Sequence, residues 1–170
     1  MTCALPLQDD AAGAVFSPDR VHRFRLWRRW APGPWACFLM LNPSTANETD
    51  LDPTLRRCVG FAKAWDSGGL LVVNLFAVVS PDPRVLLTHP DAVGVGNDEA
   101  ILNAATAAGI VVAGWGAFPE ARDRAEHVMR MLRGAGVALH CLGTTKEGHP
   151  KHPLYLASST KPVPFGGSNA

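Results

Sequence analysis

Four stretches of this chain place polar or small residues where an apolar run ought to continue. In "FLMLNPSTAN" (38–47) a run of strand-forming residues stops at Asn42, Pro43, Ser44 and Thr45. In "LLVVNLF" (70–76) Asn74 stands between apolar neighbours on both sides. "VVAGWGA" (111–117) ends at Gly114-Trp115-Gly116, and "GHPKHPLYL" (148–156) brackets His149 and His152 with prolines. A carboxamide carries both donors and acceptors, so it suits reading the edge of a planar ligand. Burying Asn74 without partners would cost roughly 1–3 kcal/mol, so it either ties down a neighbouring loop or contacts a ligand. Asn42-Pro43 is also an ordinary turn opener. Two histidines three apart suit a metal, but no third ligand is spaced to complete a site. An imidazole on a proline-stiffened loop instead donates a hydrogen bond to a leaving group. The glycines around Trp115 allow either close approach of backbone to a ligand or helix-sheet packing.

The elements that position these residues follow from periodicity. Ala36 to Leu41 and Leu70 to Leu75 are continuously apolar, as strands covered on both faces are. Asp52-Pro53 reads as an N-cap with proline at the first helical position, followed by Leu55, Cys58, Val59, Ala62 and Trp65 at helical spacing. A proline-rich loop leads to a helix over Asn97 to Ala108 with Ala100, Ile101, Ala104 and Ala105 inward. Strand Ile110 to Ala113, a helix over Glu120 to Arg133 and strand Val137 to Leu142 complete the pattern. Strands alternating with amphipathic helices predict an α/β fold: a three-layer sandwich around a central, mostly parallel four-stranded sheet. In such sheets ligands bind beyond the carboxyl ends of the strands, which is where all four polar stretches fall.

With 170 residues, one domain is expected, with its core over about 20–165 and flexible ends, the tail from 166 to 170 included. No run approaches the roughly 18 apolar residues of a membrane helix. The start "MTCALPLQDDAAGA" lacks a basic leader and a long apolar stretch, so a cytoplasmic protein is expected. Cys3, Cys37, Cys58 and Cys141 are too scattered for a disulfide framework or a structural zinc. A net charge of +1 gives no global attraction to nucleic acid, so any basic surface must be local. In the densest basic stretch, "RVHRFRLWRR" (20–29), basic residues alternate with His22, Phe24, Leu26 and Trp30, as in a half-exposed strand, with contact to nucleic acid as the lesser alternative. There is no Walker A loop, no G-x-G-x-x-G after the first strand and no G-x-S-x-G elbow.

Two resemblances rest on these blocks. From "FLMLNPSTANETDLDPTLRRCVGFAKAWDSGGLLVVNLFAVVSPDP" through "GND", "VVAGWGA" and "CLGTTKEGHPKHPLYL", over roughly residues 20 to 165, the chain resembles a bacterial and phage family known as domain of unknown function 1643. More distantly, "LNPS", "LLVVNL", "VVAGWGA" and "HPKHPL" are similar, in order, to the motifs of the uracil-DNA glycosylase superfamily. That resemblance implies a uracil-glycosylase-like sandwich acting on DNA, with base flipping and no cofactor. Asn42 would position the attacking water, with Pro43 and Ser44 shaping the pocket floor. Asn74 would read the base edge, and His149, or alternatively His152, would stabilise the departing base. Phe76 or Trp115 would stack on the base, and Leu154 or Tyr155 would fill the space of the flipped nucleotide. Ser44, Thr144, Thr145, Lys146 and Lys151 would contact phosphates.

The chain departs from the superfamily pattern in three ways. Its histidine loop has an extra residue, Ser44 follows the proline, and no aromatic matches the one that stacks on the base, for which Phe76 and Trp115 are candidates by position alone. Asp50 or Asp52 is also available as a base, although Asp52 is more simply the N-cap. The expectation is therefore a monomeric, metal-free hydrolase of the N-glycosidic bond to a modified, deaminated or mismatched base in DNA. Hydrolysis of a free nucleoside or nucleotide, and a binding module without catalysis, remain the alternatives.

Overall fold

Continuous apolar runs become interior strands because both of their faces are covered. The computed structural model describes residues 11–166. In chain order these form β1 (Ala12–Phe16), β2 (Arg23–Arg29), β3 (Trp35–Met40), α1 (Pro53–Ala64), β4 (Gly69–Asn74), α2 (Asn97–Ala107), β5 (Ile110–Ala113), α3 (Arg122–Gly134), β6 (Leu139–Cys141) and β7 (Val163–Pro164). Short 3-10 turns lie at Pro83–Leu87, Pro119–Ala121 and Pro153–Tyr155. Of the ends expected to be flexible, residues 1–10, with Cys3, and 167–170 lie outside the described residues.

The sheet is larger than the four strands expected. Its order is β1-β2-β4-β3-β5-β6-β7. The four read from sequence form its parallel centre, β4-β3-β5-β6. Antiparallel β1 and β2 extend one side and antiparallel β7 the other. β7 is two residues, one of them proline, too short to leave a periodic signal. β6 is shorter than expected because the chain around Val137 still belongs to the end of α3: Gly136 takes a left-handed φ of 77° and the Val137 amide donates to the Leu132 carbonyl at 2.9 Å.

Both faces of the sheet are packed. Leu39, Leu71 and Val73 meet Ile101 and Ala104 of α2 and Val128 and Leu132 of α3. Phe38, Leu70 and Val72 point the other way, onto Leu55, Cys58, Phe61 and Ala62 of α1. Among the described residues no helix is long and apolar enough to cross a membrane.

β2 is the half-exposed strand expected, with Arg23 and Arg25 on its buried side. Arg23 and Arg25 are only 2% and 3% exposed, whereas His22, Phe24 and Trp30 are half-buried. A period of two defines two faces but not which one is inside. Here β2 lies between β1 and β4, and polar partners wait inside: the guanidinium of Arg23 donates to the Ala46 carbonyl at 3.1 Å, and Arg28 donates to the Asn47 carbonyl at 2.8 Å. Arg20 makes a two-pronged pair with Glu48. The basic stretch braces the 42–52 loop from within.

Strand order sets the position of a crevice. From β3 the chain moves to β4 on one side, then returns to the other side of β3 for β5 and β6. The two directions part between β3 and β5, so the loops leaving their carboxyl ends diverge and open a cleft there.

Candidate functional site

A cavity of about 260 Å³ occupies that cleft. This lies just under the usual range for small-ligand pockets, roughly 300–1,000 Å³, and suits a ligand the size of a nucleobase or nucleoside. Its wall combines Asn42, Pro43 and Ser44 from the β3 exit, Asn74 from the end of β4, Trp115 from the β5 exit and His152 from the loop after β6. Arg23 of β2, Asp52 and Thr54 at the start of α1, and Ser80 beyond β4 complete it.

The two asparagines are held in opposite senses. The Nδ2 of Asn42 donates to the carbonyls of Pro43 at 3.1 Å, Ser80 at 3.0 Å and Val78 at 3.4 Å. Its Oδ1 has no donor among the described residues. Asn74 is 2% exposed, and its Oδ1 accepts from Arg23 Nη2 at 3.4 Å. Because arginine has only donors, that contact fixes the amide's orientation and leaves Nδ2 as the group offered to the cavity. One amide presents an acceptor and the other a donor.

The end of β4 is anchored from behind. Asn97 Nδ2 donates to the carbonyls of Asn74 at 3.0 Å and Leu75 at 3.2 Å, and Arg124 Nε donates to the Leu75 carbonyl at 2.7 Å. Arg124 and His127 both reach Asp98, so α2 and α3 clamp this corner together.

Of the two loop histidines, His152 reaches the cavity and His149 does not. Thr144 bridges to Pro150 in antiparallel fashion, and the Lys151 amide donates to the Gly143 carbonyl at 2.9 Å. The Thr145 amide donates to the His149 carbonyl at 2.8 Å, closing a tight turn. Lys146 and His149 therefore stand at the tip of a small hairpin, and His152 at its base. Gly114 makes that placement possible: a Cβ there would lie 3.0 Å from Met40 Sδ and 3.2 Å from Pro153 Cδ. The Leu154 amide donates to His152 Nδ1 at 3.3 Å, leaving Nε2 as the ring's donor. Burial holds the imidazole below its ordinary pKa, against the opposing pull of Asp52.

The other residues singled out from sequence divide by position. Trp115 is 5% exposed, lines the cavity and meets Phe165 edge-on at 5.7 Å. Phe76 instead packs against the α2–α3 core. Thr45 is exposed outside the cavity, as is Asp50, whereas Asp52 both lines it and caps α1, accepting from the Leu55 amide at 2.8 Å. Thr144, Lys146, Lys151 and Tyr155 are exposed, and Thr145 and Leu154 are half-buried. Tyr155, at 89% exposure, is the more prominent of the two wedge candidates.

Cys37, Cys58 and Cys141 are buried, and burial pushes the Cys37 thiol up to about 12, which removes it as a nucleophile near neutral pH. Among the described residues no group of three or more His, Cys, Asp or Glu side chains is arranged to hold a metal ion. Arg23, Thr54, Ser80 and Asn97 were not singled out from sequence. Arg23 alone left a trace there, as one of two phases of an alternating strand.

Fold and site together define an α/β protein with a small polar pocket at the carboxyl edge of its parallel strands. The chain belongs to the family described as "Protein of unknown function (DUF1643)", whose model matches residues 23–154, a span that includes every residue of the cavity wall. No curated protein and no solved structure matches it.

Proposed function

We propose that this pocket hydrolyses the N-glycosidic bond of a modified, deaminated or mismatched base in DNA, in the manner of the uracil-DNA glycosylase superfamily. The observation that carries the reading is the convergence of Asn42, Asn74 and His152 on one base-sized cavity. The C1′–N bond breaks with its electron pair leaving on the base, while Asn74 Nδ2–H and His152 Nε2–H donate to the developing negative charge. A water oriented by Asn42 Oδ1 adds to C1′, and its proton passes to the Asp52 carboxylate and on to solvent. The departed base takes a proton from solvent, so no metal or organic cofactor enters the balance. Exposed Lys146, Lys151 and Tyr155, on the segment that carries His152, face the nucleic-acid backbone and fill the flipped nucleotide's place.

A second reading, hydrolysis of a free nucleoside or nucleotide, is favoured by the net charge of +1. The test is base release from labelled single- and double-stranded oligonucleotides carrying uracil, hypoxanthine, xanthine or hydroxymethyluracil, developed with alkali, beside the free nucleosides and nucleotides of the same bases. Release from DNA that is lost in Asn42→Ala and His152→Ala is the expected result. Turnover of the free compounds alone would move the activity to the second reading. No release from either set would leave a base-binding module.

A further inference from the structure

We propose that Arg23 sets the charge of what this pocket holds: its guanidinium, buried beside Asn74 in the cavity wall with no carboxylate at ion-pair distance among the described residues, selects a base that is, or becomes, an anion. The inference rests on the glycosidic reading of the pocket and adds a specificity-determining residue to it. Buried charges are ordinarily paired. The partners of Arg23 are neutral, the Ala46 carbonyl and Asn74 Oδ1, and its Nε is buried without any partner. Burial lowers its pKa to about 10, so the cation persists at neutral pH.

The charged groups acting on it are Asp52 at the start of α1 and Arg28 on β2 itself; His152 also lines the cavity, but burial favours its neutral form. Asp52 is bound to the Leu55 amide at the helix N-terminus, where the helix's own partial positive charge offsets it. The field at the Asn74 wall is therefore positive. Arg23 also acts through Asn74: by occupying Oδ1 it polarises the carboxamide, strengthens Nδ2–H as a donor and excludes the flipped orientation. A base meets this wall through an acceptor atom, one that gains negative charge when the glycosidic bond breaks. The more acidic the ring N–H groups of a base, the better it meets that requirement.

The experiment is calorimetric titration of the full chain with two nearly isosteric free bases, uracil and the more acidic 5-fluorouracil, on the alkaline side of neutrality where only the second is largely ionised. Wild type is expected to bind 5-fluorouracil about tenfold more tightly than uracil. The preference is expected to vanish in Arg23→Gln. Equal affinities in wild type, or a uniform loss for both bases in Arg23→Gln, would reduce Arg23 to a brace for the 42–52 loop and overturn the proposal. The wild-type comparison stands even if Arg23→Gln fails to fold. Binding of both without preference, or of neither, overturns the role of Arg23, whereas the glycosidic reading falls only if the oligonucleotides and free nucleosides also release no base.

Discussion

The exits of β3 and β4 each carry an asparagine into the same cavity, and the two side chains are used in mirror fashion. Asn42 commits its donor end to three loop carbonyls and leaves its oxygen open. Asn74 commits its oxygen to Arg23 and leaves its donor end open. The first amide holds the chain together across the mouth of the sheet, since Val78 and Ser80 belong to the loop beyond β4. The second is held by the fold and contributes little to holding it. Side chains of one type in one pocket thus differ in how far function and stability are separable, and converting each to aspartate tests the difference.

Asn42→Asp should have the largest effect. It replaces an NH₂ group facing three carbonyl oxygens with a carboxylate oxygen, so attraction becomes repulsion in a half-buried site. We expect a loss of about 3 kcal/mol or more, against about 1–3 kcal/mol for Asn42→Ala, by chemical denaturation. The introduced carboxyl would have its folded pKa raised, because only its protonated form donates to those carbonyls. The folded state would then bind the proton more tightly than the unfolded chain, and stability should recover as pH falls. A variant as stable as wild type would show that the Asn42 amide does not hold the loops.

Asn74→Asp should separate the two roles. One carboxylate oxygen keeps the place of Oδ1 and gives buried Arg23 the counter-charge it lacks, so melting temperature should stay level or rise. Base release should nevertheless fall by about 10²–10³-fold, because the donor facing the base is lost and the positive field at that wall is neutralised. Activity retained in this variant would remove Asn74 from the chemistry. A fall in stability as large as that of Asn42→Asp would erase the contrast between the two exits.

The strands that carry both asparagines were legible from sequence because unbroken apolar runs have one common explanation, burial on both faces. Asp52-Pro53 announced α1 because cap chemistry is local. The branching of strand order then follows the rule that ligands bind at carboxyl ends, and Asn42, Asn74 and Trp115 fell in the cavity. What escaped depends on contacts distant in sequence. Arg23 escaped because alternation is silent about phase, and its partners Ala46 and Asn74 lie 23 and 51 residues away. His149 and His152 have the same residue type and the same proline after them. Only the Thr144–Pro150 bridge, which folds the intervening residues into a hairpin, separates tip from base. β7 pairs with β6 through two residues, too few for any pattern.

The smallest effect belongs to His152, which shares the cavity with both asparagines but is held by neither. Burial lowers its pKa below the ordinary 6.5, with Asp52 opposing the shift. Well above pH 6.5 the ring is neutral in folded and unfolded chains alike, and it contributes no pH dependence. As pH falls through 6.5, the unfolded chain takes up the proton first, so stability should decline until the folded-state pKa is passed and then level off. Structure gives the same sign, since Nδ1 must stay unprotonated to accept from the Leu154 amide. Urea denaturation at a series of pH values, with His152→Gln as the reference, should show a shallow loss on the acid side of 6.5 in wild type only. A loss of equal slope in both would assign it to other groups. A gain in wild type would mean that Asp52 outweighs burial and that the imidazole enters the cavity as a cation. The pocket would then hold two positive groups against the base, and Arg23 would no longer act alone in setting its charge.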